Sequence, residues 1–100
     1  MAEEQQDIMR KLSDVNPENY FRVANGTIIK SLKELDMAIE NMGDETFKCH
    51  VSNVRNDFAN WIRDVMKDEQ LANDLLQVKD KSRTQLLVLR RIVSILAKNG

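Results

Sequence analysis

The sequence predicts a mainly α, single-domain bundle of five to six helices, carrying at most one small β-hairpin near residues 20–29. Three observations lead there. Only three glycines and one proline interrupt 100 residues, and 42% hydrophobic with 31% charged content suits a folded core rather than disorder. Apolar residues recur at spacings of three and four through most of the chain. Capping residues stand in front of several of those periodic stretches. One core is expected for a chain of this length, so the domain is read as 1–100, with 1–15 an amphipathic helix or arm and 20–97 the core.

In chain order, Ile8, Leu12 and Val15 give the first segment a narrow apolar stripe. Asn16-Pro17 then disfavours helix. Tyr20–Val23 and Thr27–Ile29 are rich in β-formers and flank Asn25-Gly26, a strong short hairpin signal because both residues tolerate positive φ. A rival reading starts a helix at Thr27. The S-x-x-E capping box of Ser31 and Glu34 favours a start after Ser31, with a run to Met42 and Gly43 as a left-handed stop.

Asp44 opens a short helix anchored by Phe47 and Val51. A stronger one is predicted over 54–66, with Val54, Phe58, Trp61, Ile62 and Val65 on one face. Asp68 caps the next, which turns Leu71, Ala72, Leu75 and Leu76 inward. Asp80 or Ser82 opens the last helix, read with Leu86, Leu89, Val93 and Leu96 as its core ridge. A second ridge, Val88, Ile92 and Ile95, adjoins the first, and together they span about 200° of the helix surface. Leaving that second ridge bare would forgo roughly 1.5–3 kcal/mol per side chain, so a cover is expected. The stripe of Ile8, Leu12 and Val15 is the nearest candidate, and a second copy of the chain is the next.

Charge narrows the function classes. Fifteen basic against sixteen acidic residues give a net charge of −1, which removes any bulk-charge case for nucleic acid or an anionic membrane. The halves differ: residues 1–50 hold six basic and ten acidic side chains, residues 51–100 nine and six. The longest apolar run is Leu86–Leu89, far short of the roughly 20 residues that span a bilayer. A lone cysteine excludes an intrachain disulfide and a multi-cysteine metal site. With an acidic start rather than a basic and apolar leader, a cytoplasmic location is expected.

Three groups of side chains invite a chemical reading. His50 follows Cys49, yet there is no other His or Cys to complete a zinc site, and helix neighbours point about 100° apart, too far to form a nucleophilic pair. A packed thiol and a hydrogen-bonded imidazole are expected instead. Asn53, Asp57, Asn60 and Asp64 form a polar stripe beside Trp61, read either as capping and a solvated face or as contacts for a polar ligand stacked on the indole. Arg83, Arg90, Arg91 and Lys98 make a basic strip on the last helix, with no aromatic platform or recognition motif to accompany it. No phosphate loop, dinucleotide fingerprint, nucleophile elbow or zinc spacing occurs, so no cofactor and no metal are predicted.

The string Phe47-Lys48-Cys49-His50-Val51, then Arg55-Asn56-Asp57-Phe58-Ala59-Asn60-Trp61, then Asp68-Glu69-Gln70-Leu71-Ala72 resembles an uncharacterised prokaryotic helical domain family. That family shows a histidine, then N-D-F-A-x-W, then a Leu-Ala or Leu-Gly pair. The turn at Gly26 and the Ser31-Leu32-x-Glu34-Leu35 stretch agree with it, so the resemblance covers roughly residues 20–97. It implies a helical domain with no established activity, found alone or appended to larger proteins, including carbohydrate-related enzymes. It singles out His50, Asn56, Asp57 and Trp61 as one constellation. This chain has fewer residues between His50 and Asn56 than the longer members, which carry additional His-containing sequence there.

Together these observations favour a non-enzymatic helical module that binds another protein or itself. The alternatives are a domain for a small polar ligand such as a sugar or nucleotide, using Trp61, Asp57, Asn60 and His50, and a weak nucleic-acid binder using the last helix.

Overall fold

The computed structural model describes residues 12–98. Among them are a single 3-10 turn, a two-stranded hairpin and five helices in the order β1 (Phe21–Arg22), β2 (Ile28–Ile29), α1 (Leu32–Asn41), α2 (Asp44–His50), α3 (Asp57–Trp61, continued by a wider turn over Ile62–Met66), α4 (Glu69–Leu76) and α5 (Lys81–Ala97). The mainly α class with one small hairpin is as the sequence predicts.

The hairpin pairs Phe21 with Ile29 and Arg22 with Ile28 in antiparallel register. Gly26 turns it at φ +94°, a left-handed conformation that a Cβ would strain. Asn25 Oδ1 accepts from the Thr27 N–H at 2.9 Å, holding the turn from within. The helix then starts where the capping box predicts. Ser31 Oγ accepts from the Glu34 N–H at 3.2 Å, and Glu34 Oε1 accepts from the Lys30 N–H at 3.0 Å, so two backbone donors at the helix start are satisfied.

The helices bury one stripe each. Leu32, Leu35 and Ile39 of α1, Phe58 and Ile62 along α3, Leu71 and Leu75 of α4, and Val88, Ile92 and Ile95 of α5 meet in a single core with Ile29 and Val23 of the hairpin region. Helices α1 and α5 lie antiparallel. Leu32 and Ile95 share a cleft at one end, while the Lys81 ammonium donates to the Met42 carbonyl at 2.6 Å at the other.

Four expectations are corrected. Gly43 follows the C-cap Met42 of α1 but is not a left-handed stop: its φ is −75°, and it serves as the N-cap of α2, leaving Asp44 as the first helical residue. Val54 is 93% exposed and precedes the helix, because Asn56 is the cap of α3. Leu76 is exposed, not inward. The faces of α5 are exchanged: Val88, Ile92 and Ile95 are buried with Thr84, whereas Leu86, Leu89, Val93 and Leu96 are 44–55% exposed. The reason is local. Both ridges have the helical spacing, and the polar arc lies roughly opposite the boundary between them, so periodicity favours neither.

The expected N-terminal helix mostly lies outside the described residues, Ile8 included. Leu12 and Val15 pack against the core, and the Val15 N–H donates to the Lys30 carbonyl at 2.8 Å.

Candidate functional site

The constellation singled out by sequence does converge. Asn56 is extended and buried, and its side-chain oxygen accepts from the Ala59 N–H at 2.9 Å, which starts α3. Its amide nitrogen donates to the Leu75 carbonyl at 3.2 Å, tying the start of α3 to the end of α4. One side chain thus satisfies a helix start and a helix end.

Asp57, next along, points the other way. Its Oδ2 lies 3.0 Å from His50 Nδ1 and 3.7 Å from an Arg55 guanidinium nitrogen. The Arg55 guanidinium also donates to the Cys49 carbonyl, closing the short loop between α2 and α3. His50 is 8% exposed, and its Nε2 sits 2.9 Å from the Ala24 backbone N–H. A backbone N–H can only donate, so Nε2 accepts and Nδ1 carries the proton that is donated to Asp57. The imidazole therefore bridges the hairpin to α2 and α3 with both nitrogens occupied.

Trp61, one turn after Asp57, is 7% exposed, and its indole N–H donates to the Asn19 carbonyl at 2.7 Å. Phe21 meets three rings at once: Trp61 edge-on at 5.9 Å between centroids, His50 at 5.2 Å and Phe58 at 5.0 Å. Such contacts add to burial because ring edges meet ring faces. Ala59 is fully buried.

The remaining sequence candidates separate. The polar stripe is not continuous: Asn53 precedes the helix, Asn60 and Asp64 are exposed and engage Arg63, and Asp57 belongs to His50. The alternative of a polar ligand stacked on Trp61 finds no open platform, since the indole is enclosed by the aromatic cluster and its N–H is used within the chain. Cys49 is exposed rather than packed.

The basic strip is also divided. Arg91 is half-buried and its Nε donates to Asp68 Oδ2 at 2.7 Å, while Asp68 Oδ1 caps α4 through the Leu71 N–H at 3.1 Å. Arg91 therefore works as a brace between α4 and α5. Arg83, Arg90 and Lys98 are exposed. Beside this brace is a cleft of about 100 Å³ floored by Leu32, Ile62, Leu71 and Ile95, well below the size of a small-molecule site. Among the described residues no three His, Cys, Asp or Glu side chains converge as a metal would require, and no helix is long and apolar enough to cross a membrane.

Sequence reasoning missed two features. One is the open ridge of α5, assigned to the wrong face. The other is Asp36 on α1, whose Oδ1 is buried without a hydrogen-bond partner among the described residues. Burial, and then the neighbouring Glu40, push the Asp36 carboxyl above its ordinary range, offset in part by a hydrogen bond with Gln85 of α5.

The fold and constellation define a small helical domain whose hairpin is clamped to the bundle by a histidine and an indole. Residues 14–99 match the model of a family of unknown function, DUF5752, and the chain belongs to that family. No curated protein and no solved structure matches it.

Proposed function

We propose that this protein is a non-enzymatic interaction module, working in the cytoplasm, whose binding surface is the outer face of α5. The observation that carries this reading is the ridge of Leu86, Leu89, Val93 and Leu96, four large apolar side chains 44–55% exposed in a continuous row. Isolated exposed leucines need no explanation, but a contiguous apolar row on one helix marks a surface built for association.

The other readings find less support. His50 has neither ring nitrogen free for general-base work or ligation, and Trp61 offers no open platform. Arg91, the centre of the basic strip, is paired with Asp68, which weakens the case for nucleic acid. The exposed lone thiol of Cys49 suits a reducing compartment.

The test uses paired baits, the wild-type chain and Leu89→Glu/Val93→Glu, in affinity capture from the native organism. Because both residues are exposed, the variant is expected to keep the wild-type melting temperature. A partner, or a second copy, should be retained by the wild type and lost by the variant. Identical captures on both baits, with self-association of neither, would overturn the reading.

A further inference from the structure

The open face of α5 carries a regular repeat. Ser82, Leu86, Leu89, Val93 and Leu96 follow one another at spacings of four, three, four and three, the seam of a two-stranded coiled coil. Leu86 and Val93 occupy one of its two core positions, and Ser82, Leu89 and Leu96 the other. The rims of the seam differ in charge. Arg83 and Arg90 line one edge, and α5 holds no acidic residue along its whole length. The opposite edge is Gln85 and Ile92, and it is continued by α1, where Asp36 meets Gln85 and Glu40 lies one turn further on.

We propose that a second copy of this chain packs on this face, the two α5 helices parallel about a two-fold axis, with the arginine rim of each copy facing the α1 edge of the other, Arg83 opposite Glu40. This rests on the interaction-module reading above and names its occupant. In a parallel pair the edge following one seam meets the edge preceding the other, so the arginine rim of each copy meets the carboxylate rim of its mate. An antiparallel pair would set arginine against arginine.

The heights agree as well. Leu32 is level with Ile95, and Met42 with Lys81. Between those anchors Asp36 meets Gln85, and Glu40, two residues before Met42, lies near the turn of Arg83, two residues after Lys81; a parallel two-fold keeps equal residues at equal height. Arg90 makes no ion pair among the described residues, and Arg83 only a 4.0 Å contact with exposed Asp80.

Sedimentation equilibrium of the full chain over a concentration series tests this. Reversible dimerisation is expected, abolished by Leu89→Glu with the melting temperature at low concentration unchanged. Arg83→Glu alone and Glu40→Arg alone should each weaken the dimer several-fold, and the two together should restore it. Both residues are exposed, so neither change threatens the fold. In a Cys49→Ser background, Ser82→Cys should oxidise to a symmetric disulfide dimer, because parallel seams bring those positions together.

A chain monomeric throughout the series would overturn the proposal, as would a dimer indifferent to Leu89→Glu or charge reversals that fail to compensate. A chain that dimerises only after removal of residues 1–11 would overturn it too, making that segment the ridge's cover. If the wild type stays monomeric while the paired baits differ in capture, this inference fails and the broader reading stands.

Discussion

The constellation around Trp61 and the outer face of α5 treat their side chains in opposite ways. At the first, the side chains that look chemically active are spent on the fold: Asn56 joins α3 to α4, His50 joins the hairpin to α2 and α3, and Trp61 reaches the Asn19 carbonyl. At the second, side chains that look like core stand in solvent, beside a carboxylate oxygen with no partner. Buried polar groups are costly unless paired, so a cluster in which each pairs with a different element fixes one arrangement of the chain. Exposed apolar rows fix nothing within the chain. The polar residues of the first region specify the fold, and the apolar row of the second is left facing solvent.

The largest effect that could break this comparison lies within α5. Ile92→Ala should destabilise by about 3 kcal/mol, as truncation of a buried isoleucine does. Leu89→Ala, three residues away, should change the stability of the dilute chain by no more than about 0.5 kcal/mol. Urea unfolding of both variants checks the assignment of faces. Equal losses would mean that the outer ridge is covered within the chain.

Next comes Asn56. Asn56→Ala removes the α3 cap and leaves the buried Leu75 carbonyl without its donor, a loss of about 2 kcal/mol or more. Asn56→Asp should not recover it, because a carboxylate keeps the cap but cannot donate to Leu75. If aspartate restores full stability by chemical denaturation, the cap alone matters and the tie to α4 is incidental.

Much of this was legible in the sequence, for identifiable reasons. Ser31, Asp68 and Asp80 announce their helices because capping is local, a side chain bonding a backbone N–H three residues on. Asn25-Gly26 announces the hairpin for the same kind of reason. The grouping of His50, Asn56, Asp57 and Trp61 was visible, but their partners were not, since Ala24 and Asn19 contribute only backbone atoms that every residue has. The facing of α5 was illegible because two apolar ridges of equal quality share the helix. Only α1 and α4, arriving from elsewhere in the chain, choose between them. Gly43 misled because glycine, commonest just past a helix end in a left-handed conformation, is also accepted as an N-cap, the role it takes here.

A smaller effect sharpens the α5 side through pH. The Asp36 carboxyl is raised above its ordinary 3.8, chiefly by burial. The folded chain thus holds this proton at pH values where the unfolded chain has released it. Its contribution to stability is fully present below 3.8 and is lost as pH rises through the folded value. Asp36→Asn should therefore gain stability relative to wild type from acid to neutral pH in thermal melts. A difference that is flat with pH would show that Asp36 is well solvated.

The smallest effect sits on the link between the two regions. Lys67 ends the wide turn after α3 at φ 60°, the left-handed region, and is exposed. Its N–H donates to the Ile62 carbonyl, and the next residue, Asp68, both caps α4 and holds Arg91 of α5. The contacts of Asp68 therefore hold the backbone in a conformation that lysine itself does not prefer. A side chain in this conformation costs about 1–2 kcal/mol, which glycine avoids. Glycine gives back about 0.5–1 kcal/mol because the unfolded chain gains freedom. Lys67→Gly should thus stabilise by about 0.5 kcal/mol, and Lys67→Val, branched at Cβ, should destabilise. Urea midpoints in that order, glycine above lysine above valine, would show that the turn is imposed by its surroundings. If glycine instead lowers the midpoint, the lysine stem contributes packing that outweighs the strain, and the link is more than a passive joint.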